Sequence, residues 1–233
     1  MQNFDIIKKT KISNSFRVKA TIDKFTMENE KFVNRFTGSI DLPAEWNVGC
    51  IVGASGTGKT TVSRELFKEN FIENYIYKED SILDDMPKQC KIDEIHKIFT
   101  SVGFASPPDW VKPYRVLSNG QKMRVDLARS LLEERDLVAF DEFTSVINRE
   151  VAKTGSLAIQ KAVRKNNKKF VAVAVHRDIL DWLMPDWIFD TDTFQFHVKK
   201  KALGKENRLN WKYLKLQRTS NNNFGNHCQS III

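Results

Sequence analysis

Apolar residues recur along the chain in short bursts whose spacing changes, and the spacing predicts the elements. In the first 50 residues, SFRVKATIDKF (15–25) and RFTGSIDL (35–42) alternate in part, which predicts edge or hairpin strands. NVGCIVG (47–53) is a continuous apolar burst of buried-strand length, followed by a glycine-rich turn and the helix-like TTVSRELFKE (60–69). Residues 71–116 are mixed: a strand-like NYIY (74–77), an acidic stretch, a helix-like KIDEIHKIFTSVG (91–103) and a proline-interrupted loop, ASPPDWVKPY (105–114). Apolar spacings of three and four make GQKMRVDLARSLLEE (120–134) strongly helical. DLVAFDEF (136–143) is a buried strand ending in carboxylates, VAKTGSLAIQKAVRKNNKK (151–169) a helix with a basic end, and KFVAVAVHRD (169–178) another apolar strand. DWIFDTDTFQFHV (186–198) closes the pattern as a strand or hairpin. There is no internal repeat. Strands alternating with helices predict an α/β domain with a mostly parallel sheet and helices on its faces.

Composition narrows this picture. Hydrophobic residues make up 41% of the 233, enough for a packed core. No run of about 18 apolar residues marks a membrane span, and MQNFDIIKKTKIS has no apolar stretch of signal-peptide length. Cys50, Cys90 and Cys228 are few, odd in number and far apart, which argues against a disulfide framework and suits a reducing cytoplasm. The net charge of +8 is concentrated: residues 199–218 carry eight Lys or Arg against Glu206. The expected organisation is therefore a domain over 1–198 and a basic tail over 199–233, with a short amphipathic helix open near LNWKYLKL. The tail's charge, interleaved with Trp211 and Tyr213, suits nucleic acid, a protein partner, an anionic membrane surface or plain solvation. The basic helix end Lys161, Arg164, Lys165, Lys168 and Lys169 is the second place for a polyanion.

The chemistry begins at Gly53-Ala54-Ser55-Gly56-Thr57-Gly58-Lys59-Thr60, followed by Thr61. This run matches G-x-x-x-x-G-K-[ST] in full and lies between a predicted strand and a predicted helix. Glycines there let successive backbone N–H groups turn inward on phosphates, and the helix adds its positive N-terminal end. Lys59 is placed to reach the outer phosphates and Thr60 to offer its hydroxyl to Mg²⁺, so a nucleoside triphosphate with magnesium is the expected ligand. Asp141 and Glu142 end the strand LVAF. A carboxylate at the C-terminal end of a parallel strand sits where such sheets bind ligands. Asp141 is then a candidate for Mg²⁺ and Glu142 for orienting or deprotonating an attacking water.

Downstream, Leu117-Ser118-Asn119-Gly120-Gln121 resembles the LSGGQ signature of the ABC ATPases, and RVDLARSL after it is similar to the family's RVAIARAL. Asp141-Glu142-Phe143-Thr144-Ser145 resembles DEPTS, Ser145-Val146-Ile147-Asn148 stands where the D-loop would be, and His176 matches the switch histidine. The resemblance covers roughly residues 20–195. It implies a P-loop NTPase of the ABC type, with an N-terminal antiparallel β subdomain and a trimmed helical subdomain. It also implies ATP as substrate and a head-to-tail homodimer in which Ser118, Gly120 and Gln121 meet the nucleotide of the opposite copy. In this reading His176 contacts the γ-phosphate, and Lys59, Glu142 and His176 are the catalytic set. The chain departs from the family at Asn119 and Asn148, and Lys78 stands where a Q-loop glutamine is expected, with Gln89 a poor substitute. Phe25 is the candidate for an adenine-stacking aromatic. WVKPYRVLSNGQKMRVDLAR and FDEFTSVINREVAK further resemble soluble bacterial and phage ABC-type ATPases, some linked to GNAT-type acetyltransferase domains. Three functions stay open on this basis. One is a soluble nucleotide-gated clamp with nucleic acid as a candidate substrate; the others are the ATP-binding subunit of a membrane transporter and an ATP-dependent regulatory module with little turnover.

Overall fold

A computed structural model of the chain describes residues 2–27 and 33–199. The expectations for the tail, including the helix near LNWKYLKL and the contacts of Trp211 and Tyr213, concern residues outside that description.

Six strands form the main sheet: β3 (Val48–Val52), β4 (Phe71–Ile72), β5 (Leu137–Phe140), β6 (Lys169–Ala174), β7 (Trp187–Asp190) and β8 (Gln195–Val198). Their order is β4-β5-β6-β3-β7-β8. All neighbours are parallel except β7 and β8, which close the sheet as an antiparallel hairpin. Every residue of β3 is buried, as its unbroken apolar run demands of a central parallel strand. Helices α2 (Lys59–Phe67), α5 (Asn119–Leu132) and α6 (Arg149–Lys165) are the long connections. Between β4 and α5 the chain inserts α3 (Ile92–Ser101), the one-turn α4 (Pro107–Trp110) and a single 3-10 turn (Tyr114–Val116), a short helical region. The five-residue α7 (Ile179–Leu183) links β6 to β7. Among the described residues no helix is long and apolar enough to cross a membrane, and Cys50 and Cys90 are free thiols.

Two expectations need correction near the N-terminus and after β4. SFRVKATIDKF is not a strand: Phe16–Lys24 form helix α1, started by Ser15, whose hydroxyl accepts the Val18 N–H. The partner of RFTGSIDL is instead β1 (Gln2–Lys9), which pairs antiparallel with β2 (Val33–Ile40) along its whole length. NYIY is also not a strand, since β4 ends just before it at Ile72. Its tyrosines turn onto α5, where the hydroxyls of Tyr77 and Tyr114 donate to the two carboxylate oxygens of Asp126 at 2.7 and 2.9 Å. The two rings stack with centroids 3.9 Å apart, and the Arg129 guanidinium covers Tyr75 and Tyr77.

Burial pushes the Asp126 carboxyl up from 3.8 to about 6 despite those hydroxyls. A raised acid binds more protons folded than unfolded. Its favourable contribution is therefore complete below the unfolded value and is lost as pH rises through about 6. Asp126→Asn should flatten the dependence of stability on pH between 4.5 and 7.5 by on the order of 2 kcal/mol relative to wild type. Urea unfolding at both pH values measures it, and parallel curves for the two proteins would refute it.

Helices α5 and α6 are locked together at their starts. A Cβ on Gly120 would lie 2.9 Å from Val151 Cγ1, and one on Gly155 would lie 2.3 Å from Met123 Cε. Small residues at both crossings thus bring the signature segment against the segment after β5. Asn148 starts α6, its side chain accepting the Val151 N–H at 2.9 Å. That is a capping task for which Asn serves as well as Asp. The basic end of α6 is largely occupied: Arg164 pairs with Asp186, Lys168 donates to the Glu133 carbonyl and Lys169 covers the Trp46 ring.

Candidate functional site

In the central strands β5-β6-β3-β7 the C-terminal ends lie side by side, and each carries a segment singled out above or one adjoining it. Residues 53–60 leave β3, Asp141 and Glu142 leave β5, His176 and Arg177 follow β6, and Thr191 and Asp192 follow β7. The four segments form one edge, the expected ligand position for this sheet topology.

The glycine-rich run takes the conformation its composition permits. Gly56 and Gly58 have φ of +82° and +91°, and Gly58 caps α2 without a side-chain bond, leaving the first-turn N–H groups open to an anion. A Cβ at Gly56 would meet nothing within 4 Å, whereas one at Gly58 would lie 2.4 Å from the Phe36 ring of β2. The N-terminal hairpin therefore rests on the loop through Phe36, which itself stacks on Phe194. Phe25 stands at the C-terminal end of α1 and is 60% exposed. Lys59 is buried, and its ammonium donates to the Ala54 carbonyl at 2.7 Å. Burial lowers its pKa, while the carboxylates of Glu142, Asp192 and Asp141 oppose the shift.

Thr60 reaches the carboxylate side of the edge. It lies near Asp141, whose pKa is raised by burial and held back by the Thr60 side chain and by the Glu142 backbone. A hydroxyl and a nearby carboxylate beside an open helix N-terminus are a donor set that would suit a phosphate-bound Mg²⁺, the remaining ligands being water and phosphate oxygens. Among the described residues no three His, Cys, Asp or Glu converge on a point, so an all-protein metal cage is not what the site offers.

Glu142 is exposed and held in a left-handed conformation, with φ +49°. The cause is the packing around it. Asp141 N–H bonds to Ile72 O and Phe143 N–H to Val173 O, while the fully buried Phe143 ring packs edge-on against Phe140 and Phe170. Anchoring both neighbours inward leaves the Glu142 side chain facing solvent at the sheet edge. Thr144 shares the strained region at φ +67°, unusual for a β-branched residue and costing about 1–3 kcal/mol. His176 is exposed one residue beyond Val175, after the strand that neighbours both β3 and β5.

The signature residues gather at the start of α5. Ser118 caps the helix through a reciprocal capping box with Gln121. The Gln121 side-chain nitrogen also donates to Asp109 at 2.9 Å, so that side chain is occupied within its own copy. Ser118 is exposed and Gly120 lies on Val151. No hydrogen bond among the described residues joins this cluster to the glycine-rich loop. Val116, just before it in sequence, and Val146, between β5 and α6, are exposed apolar side chains at 61% and 73%.

Sequence reasoning missed the loop's supports. Asp192 Oδ1 accepts the Ala54 N–H at 2.7 Å, and the Thr57 and Thr191 hydroxyls are 2.6 Å apart. Arg177 bridges Asp190 and Asp192, and those bonds hold its pKa above the usual value, Asp190 contributing most. Only the Asp residues' place after an apolar strand, on the same edge as the loop, could have drawn attention to them.

No protein-family profile matches the chain. A protein of Encephalitozoon cuniculi named "Probable ATP-binding cassette sub-family F member 3 homolog" is 32% identical over 103 residues, 42% of this chain and 18% of that protein. An uncharacterized ABC transporter ATP-binding protein of Haemophilus influenzae is 30% identical over 136 residues, 46% of this chain and 55% of that protein. The matched segments thus span under a fifth of the first relative and about half of the second. Among solved structures, a bacterial Atm1-family ABC exporter with ATP bound superposes with a TM-score of 0.53 at 18% identity, over 66% of this chain and 33% of that one. A dimeric bacterial ABC transporter cassette gives 0.50 at 14% identity, over 67% of this chain and 87% of that one. The fold is that of an ABC ATPase cassette, and sequence relatives and structural neighbours alike are ABC proteins.

Proposed function

We propose that this chain binds Mg·ATP along the edge formed by residues 53–60, Asp141, Glu142 and His176, and hydrolyses it as an ATP-driven head-to-tail homodimer. One observation carries the reading: Asp141, its pKa held back by the nearby Thr60 side chain, stands at the mouth of a glycine-rich loop whose buried lysine is Lys59. Each residue then has a role. The loop's N–H groups and Lys59 bind the phosphates, and Thr60 and Asp141 hold Mg²⁺, which supplies charge neutralisation to the phosphoryl oxygens. Glu142, facing solvent, orients a water and takes its proton as the water attacks. His176 donates toward the terminal phosphate from the neighbouring strand. Steady phosphate release by the wild-type chain with Mg·ATP, absent without magnesium, tests the reading.

The dimer follows from the signature's position. Ser118 and Gly120 open a helix yet make no bond to their own loop, so the phosphate they serve belongs to a second copy. The dimeric cassette among the structural neighbours supports this arrangement, as do the uncovered Val116 and Val146. Ser118→Arg should abolish ATP-driven dimerisation, because the larger cation would stand where the two copies close. Binding of ATP by the monomer should stay within about threefold of wild type, since Ser118 lies outside its own loop. A dimer of unchanged stability in the Arg variant would refute the placement.

Within this reading the narrower likeness is to soluble, cytoplasmic ABC-type ATPases associated with acetyltransferase domains. Nucleic acid remains a candidate partner on the charge of residues 199–218. A second reading, the ATP-binding subunit of a membrane transporter, takes support from the relatives' names. A membrane-spanning protein co-purifying with the Glu142→Gln form would favour it.

A further inference from the structure

We infer that Arg177, Asp190 and Asp192 are positioning residues that set the phosphate loop and tie it to the segment bearing His176. This inference rests on the ATP-binding reading above. The Ala54 peptide is held from both sides. Its N–H donates to Asp192 Oδ1 at 2.7 Å, and its carbonyl accepts the Thr57 hydroxyl at 2.9 Å and the Lys59 ammonium at 2.7 Å. Asp192 does not stand alone. Its other carboxylate oxygen accepts from Arg177 at 2.8 Å, and its own N–H bonds to Asp190 Oδ1 at 2.9 Å. Arg177 also grips Asp190, which is only 2% exposed.

Asp190 ends β7 and Arg177 follows β6, and these are the two strands that flank β3 in the sheet. The brace therefore crosses the loop from one neighbouring strand to the other. Thr191 adds a clamp: its hydroxyl meets Thr57, and a Cβ on Gly53 would lie 2.2 Å from that oxygen. A loop built largely of glycine and small residues has many conformations to lose on binding. A carboxylate fixed by an arginine that is itself anchored on the buried Asp190 removes part of that freedom before the ligand arrives. Because Arg177 directly follows His176, the same bonds fix the backbone from which the histidine projects.

The test compares Asp192→Ala, Asp192→Asn and Arg177→Lys in the full chain, reading KM for ATP, kcat and the melting temperature without nucleotide. Asp192→Ala should raise KM about tenfold, the scale of one charged hydrogen bond, with kcat at saturation little changed. Asp192→Asn keeps an oxygen for the Ala54 N–H and should recover most of that loss. Arg177→Lys keeps Asp190 compensated but cannot span both carboxylates, and should raise KM by an intermediate factor. A merely structural role would lower the melting temperature of all three and leave KM at the wild-type value, and that result would overturn the brace. So would an Asn variant as impaired as Ala. Lys59→Ala separates the two levels. If it abolishes binding while Asp192→Ala leaves KM unchanged, the brace fails and the ATP site stands. If wild type itself binds no Mg·ATP, the ATP-binding reading fails, and the brace fails with it.

Discussion

Lys59→Ala is expected to weaken Mg·ATP binding about 100-fold or more without unfolding the chain. A charge-assisted bond to phosphate in a partly desolvated site is worth up to about 3 kcal/mol, and two arginines among the described residues are already engaged. Arg177 is engaged with Asp190 and Asp192, and Arg64 is paired with Glu73. The fold should tolerate the change because the buried ammonium is already disfavoured there, its pKa being lowered by burial. Titration with a fluorescent ATP analogue measures the effect, and circular dichroism checks the fold. Affinity within a few-fold of wild type would remove the phosphate loop from the account.

Glu142→Gln should reduce turnover by about 100- to 10,000-fold while leaving nucleotide affinity near wild type. The exchange keeps size and hydrogen bonding but removes the only proton-accepting function of that side chain. The left-handed backbone at φ +49° is fixed by Asp141 and Phe143 on either side, so the amide should occupy the same place. Phosphate release under single-turnover conditions separates the chemical step from product release. Turnover close to wild type would move the general base elsewhere on the edge.

These two residues were legible because their chemistry is coded by local spacing. The loop directly follows β3 and the carboxylates directly follow β5, and a parallel sheet delivers strand ends to one edge. Helix α1 was not legible. Phe16, Val18, Ala20 and Ile22 alternate as a strand would, and no α1 residue is buried to impose a helical stripe. Only the Ser15 cap pointed the other way. NYIY misled for a different reason: its tyrosines are claimed by Asp126 and Arg129, forty-nine or more residues away in the chain. The brace on Ala54 was invisible on the same ground, since 138 residues separate Asp192 from the loop it holds. Gln121 shows the reverse limit. The motif marked it for the nucleotide, and the structure gives its side chain to Ser118 and Asp109.

The central claim is that ATP joins two copies into one working site. Sedimentation velocity of the Glu142→Gln chain at saturating Mg·ATP and at saturating Mg·ADP tests it most directly. The account predicts a dimer with ATP and a monomer with ADP. A chain that binds ATP tightly yet sediments as a monomer in both would contradict it.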